Sequence, residues 1–162
     1  MPYDPQLHHR RSYRLSGHDY TSTGPYLITL CTQHRRFFFG SIRNGEMRLS
    51  PAGLMVDTVW RTLPSRFPML ALDAFVVMPD HFHAIIWLRG GSESENPTVS
   101  LGRVIGAFKS LTTVAYIRGV AEQRWPALDR RLWQRGYWER IVRSEVGLVR
   151  LRKYIEENPR RA

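Results

Sequence analysis

Two apolar runs, Ala71 to Met78 and His81 to Leu88, stand back to back with only Pro79-Asp80 between them. Two residues leave no room for a crossover connection, so the runs must fold back on each other as adjacent antiparallel strands. Any architecture for this chain has to be built around that pair, which is expected at the centre of a sheet. The second run also carries His81-Phe82-His83. Side chains alternate along a strand, so both imidazoles project from one face while Phe82 points the other way, into the core.

The flanking segments read outward from this pair. Residues 1–20 are rich in His, Arg and Tyr without periodicity and read as a basic arm; residues 21–162 read as one domain. Pro25 to Thr32 (PYLITLCT) is a β-rich run. Phe37 to Ile42 and Met47 to Leu49, joined through Asn44-Gly45, form a hairpin, because Asn-Gly supplies the positive φ angles of a type I′ turn. Ser50-Pro51 starts a helix that Pro64 is expected to end. Arg89 to Thr98 (RGGSESENPT) is a surface loop, and Ser100 caps a helix reaching to about Arg118. Tyr137 to Val142 is a last short strand. Ser144 caps a final helix through Leu148, Leu151 and Ile155, stopped at Asn158-Pro159. Strands separated by helices, with one tight antiparallel pair, predict an α+β fold: a ferredoxin-like antiparallel sheet covered by helices.

The charge balance narrows the partners. The formal net charge is +10, and of 24 basic residues all but Lys109 and Lys153 are Arg. Such an excess favours a polyanion, and the planar Arg fork suits ordered phosphate contacts. The N-terminus has no apolar signal core, and no stretch reaches the ~20 apolar residues of a membrane span. The single Cys31 excludes an internal disulfide, so a reducing cytoplasmic location without membrane contact is expected.

Chemistry concentrates at two places. His81 and His83 on one strand face can hold a divalent cation, or can simply be two polar positions on an exposed face. With no carboxylate cage nearby, a bound metal would keep positions open for water or substrate oxygens, as phosphate chemistry requires. Tyr154 and Asn158, four residues apart, share one face of the final helix. A helical Tyr is ordinarily a packing residue, and the proline after Asn158 places that amide at a fraying helix end. Tryptophans and tyrosines are available to stack unpaired bases, but Trp87 and Trp133 serve equally well as core, which keeps them out of the site.

The ordered motifs GHDYTSTGPYLITLCT, FGSIRNGEMRLSPAG, FVVMPDHFHAIIWL, FKSLTT, YWERIVRSE and YIEENP resemble the REP-associated tyrosine transposases over roughly residues 20–159. These are relatives of the small single-tyrosine insertion-sequence transposases, enzymes of the HUH type (His, large apolar residue, His). The resemblance implies a metal-dependent single-strand endonuclease and transposase that cleaves and rejoins DNA at imperfect, REP-like hairpins. In it, His81, His83 and Asn158 bind Mg²⁺ or Mn²⁺, and Tyr154 attacks phosphorus to give a 5′-phosphotyrosine and a free 3′-hydroxyl. A phenol, with a reference pKa of about 10, needs a cation or base beside it for such an attack. Lys109, Ser110, Arg140 and Arg143 match family positions that contact the DNA backbone, though as exposed charges they can equally be solvated. Arg10, Arg11 and Arg14 resemble the arm by which relatives grip the foot of a hairpin. Relatives act as homodimers or monomers, and a cytoplasmic, nucleoid-associated location is expected for this chain.

Three departures from the family pattern stand out. Asp80 replaces the Asn of many relatives, Glu139 replaces a His, and Pro159 is followed by only Arg160, Arg161 and Ala162. Weakened cleavage and altered guide recognition are expected from them. Two competing readings follow: a hairpin or single-strand DNA-binding protein whose chemistry has decayed, and a metal-dependent nuclease in which activated water replaces Tyr154.

Overall fold

The His81-to-Leu88 run forms a strand whose two faces meet different layers, and this governs everything around it. The computed structural model describes residues 24–89 and 99–162. The basic arm and the loop beyond Arg89 lie outside the described residues. The elements are β1 (Gly24–Cys31), β2 (Gly40–Arg43), β3 (Glu46–Leu49), α1 (Pro51–Arg66), β4 (Leu70–Val77), β5 (His81–Leu88), α2 (Leu101–Gln123), β6 (Trp138–Ile141) and α3 (Glu145–Arg161).

Strands β4, β5, β1 and β6 lie in that order in one sheet, every neighbouring pair antiparallel, while β2 and β3 form a separate hairpin. Setting the hairpin aside, the chain runs β1-α1-β4-β5-α2-β6, with β5 inserted between β1 and β4. That split βαβ arrangement is the ferredoxin-like fold. The tight antiparallel pair is confirmed, but only β5 is central; β4 lies at the sheet edge. The sequence pattern does not distinguish the two, since α1, β5 and α3 cover β4 well enough to keep it apolar.

On one face of β5, Phe82, Ala84, Ile86 and Leu88 join Tyr26, Ile28 and Leu30 of β1 beneath α1 and α2. Trp60 of α1 fills the centre, with ring centroids 4.8 Å from Phe82 and 5.0 Å from Phe108. On the other face, Ile85 packs with Leu148 and Ile155 of α3, and Leu27, Val76 and Trp87 surround them. His81 and His83 belong to this second face, so α3 is the element that can reach them.

Local signals set the element ends. Ser50, Ser100 and Ser144 each accept a hydrogen bond from the backbone N–H three residues on, as N-caps do. Asn44 and Gly45 both have positive φ (52° and 73°), as the hairpin turn requires. Two helix ends differ from expectation. Pro64 lies inside α1 and Pro159 inside α3. Each sits in a last turn, where its missing N–H removes a single helical bond and the chain continues; beyond Pro64, Phe67 N–H still bonds the Leu63 carbonyl at 2.9 Å. Helix α2 likewise continues past Arg118 to Gln123 and ends at Arg124 in a left-handed conformation. Among the described residues, no helix is long and apolar enough to cross a membrane.

Candidate active site

The two histidines are each held by one ring nitrogen. Thr29, the cross-strand partner of His83 on β1, places its hydroxyl 2.8 Å from His83 Nδ1. Asp80, in the turn before β5, places Oδ1 2.6 Å from His81 Nδ1. With both Nδ1 atoms engaged, Nε2 is the nitrogen each ring has left for a ligand in the cleft they line. The rings lie 4.6 Å apart, centroid to centroid. Burial, with the neighbouring His81 and Arg35 charges, pushes His83 down to about 4, which keeps its imidazole in the neutral form that metals bind.

Helix α3 closes the cleft from the opposite side. Tyr154 stands 5.8 Å from the His83 ring in an edge-on arrangement, 38% exposed. Asn158, one turn further, is only 8% exposed. The expectation of a frayed Asn158 is thereby corrected: because Pro159 is absorbed into the last turn, Asn158 is buried inside the helix. A cleft of about 370 Å³ is lined by Thr29, Arg35, His81, His83, Tyr154 and Asn158, with Met78 and the C-terminal Arg161 and Ala162 at its border. Arg161 lies with its guanidinium carbon 5.9 Å from the centre of the Tyr154 ring. The tyrosine therefore faces the histidines of its own chain.

Sequence reasoning missed the residues that position the histidines. Thr29 sits in an apolar strand and acquires its role only through the β1–β5 register. Arg35 ends the 3-10 turn Gln33–Arg35 and has φ 55°, with His34 at 56° before it. Two consecutive non-glycine residues in the left-handed region are a strained arrangement, of the kind that collects at working sites. It brings Arg35 Nε to 2.9 Å from Asp80 Oδ2 and Arg35 Nη1 to 2.8 Å from Cys31 Sγ. Asp80 thus serves His81 with one oxygen and Arg35 with the other. The one signal of this in the sequence is the departure of Asp80 from the family's Asn.

The remaining candidates fall elsewhere. Arg140 and Arg143 line a second cleft, of about 530 Å³, with Ser144, Gly147 and Arg150 at the start of α3. Lys109 on α2 donates to the backbone carbonyls of Gln134, at 2.8 Å, and of Gly136, and so clamps the loop entering β6. Its burial lowers its pKa to about 8. Ser110 is exposed on α2. Glu139 pairs across β1 with Ile28, which puts it on the α1/α2 side of the sheet and away from Tyr154. Arg10, Arg11 and Arg14 lie outside the described residues.

The donor set in the cleft is two imidazoles and one buried amide. Among the described residues no group of three or more His, Cys, Asp or Glu could hold a metal, and the Asn158 amide offers the cleft a further oxygen beside the two imidazoles. The arrangement fits a divalent cation with open positions.

A family model described as IS200-like transposase matches residues 25–158, spanning both histidines, Tyr154 and Asn158. The chain belongs to the IS200-like transposase family. An uncharacterized protein of Haemophilus influenzae is 33% identical over 172 residues, covering 97% of this chain and 92% of its own. Among solved structures, a REP-associated tyrosine transposase bound to a REP hairpin aligns with TM-score 0.64 at 20% identity, covering 90% of this chain and 72% of that one. A candidate transposase of Deinococcus radiodurans R1 aligns with TM-score 0.53 at 18% identity, covering 88% and 96%. At these identities the structural matches establish the fold, and family membership assigns this IS200-like protein a transposase-type role in DNA processing.

Proposed function

We propose that the protein cleaves and rejoins single-stranded DNA at REP-like hairpins, using Tyr154 of its own chain as nucleophile and a divalent cation, Mg²⁺ or Mn²⁺, held by His81, His83 and Asn158. The observation that carries this reading is the convergence, in one cleft, of Tyr154 with both histidines and Asn158. Tyr154 and His83 sit close enough for a single phosphate to touch both.

The phenolic oxygen attacks phosphorus, the O–P bond to Tyr154 forms, and the P–O3′ bond breaks; the phenol loses its proton and the departing 3′-oxygen gains one. The phosphodiester's bond energy is kept in the tyrosyl ester, so a later 3′-hydroxyl can reverse the step without a nucleotide cofactor. When bound, the cation would withdraw charge from a non-bridging phosphate oxygen. Thr29 and Asp80 fix the two imidazoles in place, and Arg35 and Arg161 add positive charge at the rim of the cleft. Ser110, Arg140, Arg143 and the arm residues Arg10, Arg11 and Arg14 are assigned to backbone phosphates outside the reacting centre, while Lys109, engaged with the Gln134 and Gly136 carbonyls, holds the loop entering β6. The solved REP-associated transposase was bound to a REP hairpin, which supports a hairpin as the DNA partner here.

The test is incubation with tiled single-stranded hairpin oligonucleotides from the flanking genome, with Mn²⁺ or EDTA, followed by denaturing electrophoresis and mass mapping. A metal-dependent covalent adduct on Tyr154 that disappears in Tyr154→Phe is expected. Nicking that survives Tyr154→Phe would establish water as the nucleophile, and binding without any adduct would establish a non-catalytic DNA-binding protein.

A further inference from the structure

The five tryptophans divide sharply by environment. Trp60 is fully buried, Trp133 is 4% exposed with its N–H on the Thr112 hydroxyl, Trp87 donates to Asp73, and Trp125 packs on Tyr116. Trp138 is 62% exposed. Its place in the sheet sets what that exposed ring face can meet.

Trp138 lies in register with the active site. Across the sheet, Trp138 of β6 pairs with Thr29 of β1, and Thr29 pairs with His83 of β5. Directly paired residues share a face, so His83, Thr29 and Trp138 form a row on the side where Tyr154 sits. Two strand spacings separate His83 from Trp138, roughly 10 Å, which is about the reach of a nucleotide from its phosphate to its base. A small recess of about 80 Å³ beside Trp138 is bordered by Thr29, Gln134, Arg135, Gly136 and Tyr137. Thr29 also lines the Tyr154 cleft, so recess and cleft adjoin on either side of that residue. Arg140, two residues beyond Trp138 in the strand, projects from the same face and is exposed. The loop that forms the recess is held by Lys109 through its two carbonyl contacts.

An exposed aromatic plane, flanked by arginines and adjoining the cleft assigned above to phosphate cleavage, is the combination that binds single strands: cations follow the backbone while the ring stacks on a base. We propose that Trp138 is a stacking platform for an unpaired nucleobase next to the phosphate held at His83 and Tyr154. This inference rests on the single-stranded DNA reading above. Stacking on Trp138 would orient the strand and hold the scissile phosphate against Tyr154, and it would tolerate any base, because every base has a π-face.

The experiment compares the full-length protein in EDTA, where the cleavage proposed above is not expected, on two fluorescein-labelled probes: an oligothymidylate of about twelve nucleotides and its abasic counterpart with the same phosphates. The wild type is expected to bind the oligothymidylate more tightly, with quenching of tryptophan fluorescence. Trp138→Ala should lose roughly tenfold on oligothymidylate and little on the abasic probe, abolishing the difference. Trp138→Phe should restore most of it, and its lack of quenching would assign the signal to Trp138. Equal affinity of wild type and Trp138→Ala for oligothymidylate overturns the platform, as does an equal loss on both probes. A shift of Trp138→Ala in sedimentation, with DNA binding unchanged, also overturns it and makes the β6 edge a self-association face. If the platform is overturned in any of these ways while the Tyr154 adduct still forms on hairpins, the cleavage reading stands without it. A wild type that binds neither probe overturns the platform, and the cleavage reading falls only if no Tyr154 adduct forms on hairpins.

Discussion

Asp80 holds two neighbours at once, His81 through Oδ1 and Arg35 through Oδ2. A carboxylate behind a metal-binding imidazole fixes the ring's orientation and raises its basicity, and losing such a partner typically weakens metal binding by about 10–100-fold. Asp80→Ala is therefore expected to weaken Mn²⁺ binding by at least about tenfold in a calorimetric titration. Asp80→Asn should weaken it less, since an amide oxygen can still accept from His81 Nδ1 while the charge pair with Arg35 is lost. Equal affinity in all three proteins would remove Asp80 from the site. The departure from the family's Asn thus reads as a local solution in which the carboxylate also recruits Arg35, rather than as decay. It is visible in the sequence as a difference, but its meaning depends on a left-handed turn at His34-Arg35 that no residue type there announces.

At the scale of the element, α3 decides whether the site exists, because Tyr154 and Asn158 reach the histidines only if the helix docks on the β4–β5–β1 face. One tether is Asp73, at the β-bulge in β4, which accepts from Arg152 of α3 at 2.8 Å and from Trp87 Nε1 at 2.9 Å. The Arg152 guanidinium, with Trp87 and the Ala74 N–H, holds the Asp73 carboxyl down at about 2 against burial that opposes the shift. A depressed carboxyl contributes stability that is present above its unfolded value, near 4, and is lost as pH falls through its folded value, near 2. Asp73→Asn is expected to cost about 1–2 kcal/mol at neutral pH, with the gap to wild type closing between about pH 4 and pH 2 in chemical denaturation. A constant gap across that range would show that the ion pair is not the tether. Removing the α3 cap, Ser144→Ala, should cost about 1 kcal/mol by the same measurement at any pH in that range.

For the whole molecule, the two faces of the sheet do different work. The α1/α2 side is the main core, and Trp60 is its centre: fully buried, with Phe75, Phe82 and Phe108 around it. Trp60→Ala should destabilise by about 3–5 kcal/mol and lower the melting temperature by roughly 10 °C, through the cavity it leaves. The α3 side is thinner and carries the cleft, with the Arg140, Arg143 and Arg150 groove at its far end. With a formal charge of +10, binding to single strands should weaken steeply with salt. Each groove arginine that meets a phosphate contributes about 0.7 to the slope of log affinity against log salt concentration. Arg140→Ala and Arg143→Ala should each flatten that slope by this amount in a fluorescence titration; an unchanged slope would place the residue off the DNA path.

Much of this molecule is legible in its sequence because it depends on local chemistry. The His81/His83 alternation needs only strand geometry, the serine caps and the Asn44-Gly45 turn need only their own side chains and φ preferences, and the three-residue link between β4 and β5 admits one pairing. The order of motifs identifies the family. What the sequence does not decide is everything that depends on which strands become neighbours: that β4 ends at an edge, that Thr29 lies beside His83, that Glu139 turns away from the cleft, and that Trp138 stands in the same row as His83. Prolines 64 and 159 mislead for a related reason. A proline's cost is one hydrogen bond and a steric clash, and in a last turn the tertiary packing of Leu63 or Ile155 is enough to carry the helix past it. Local rules set the pieces of this protein, and long-range pairing, which no single segment encodes, set which of their side chains share the cleft.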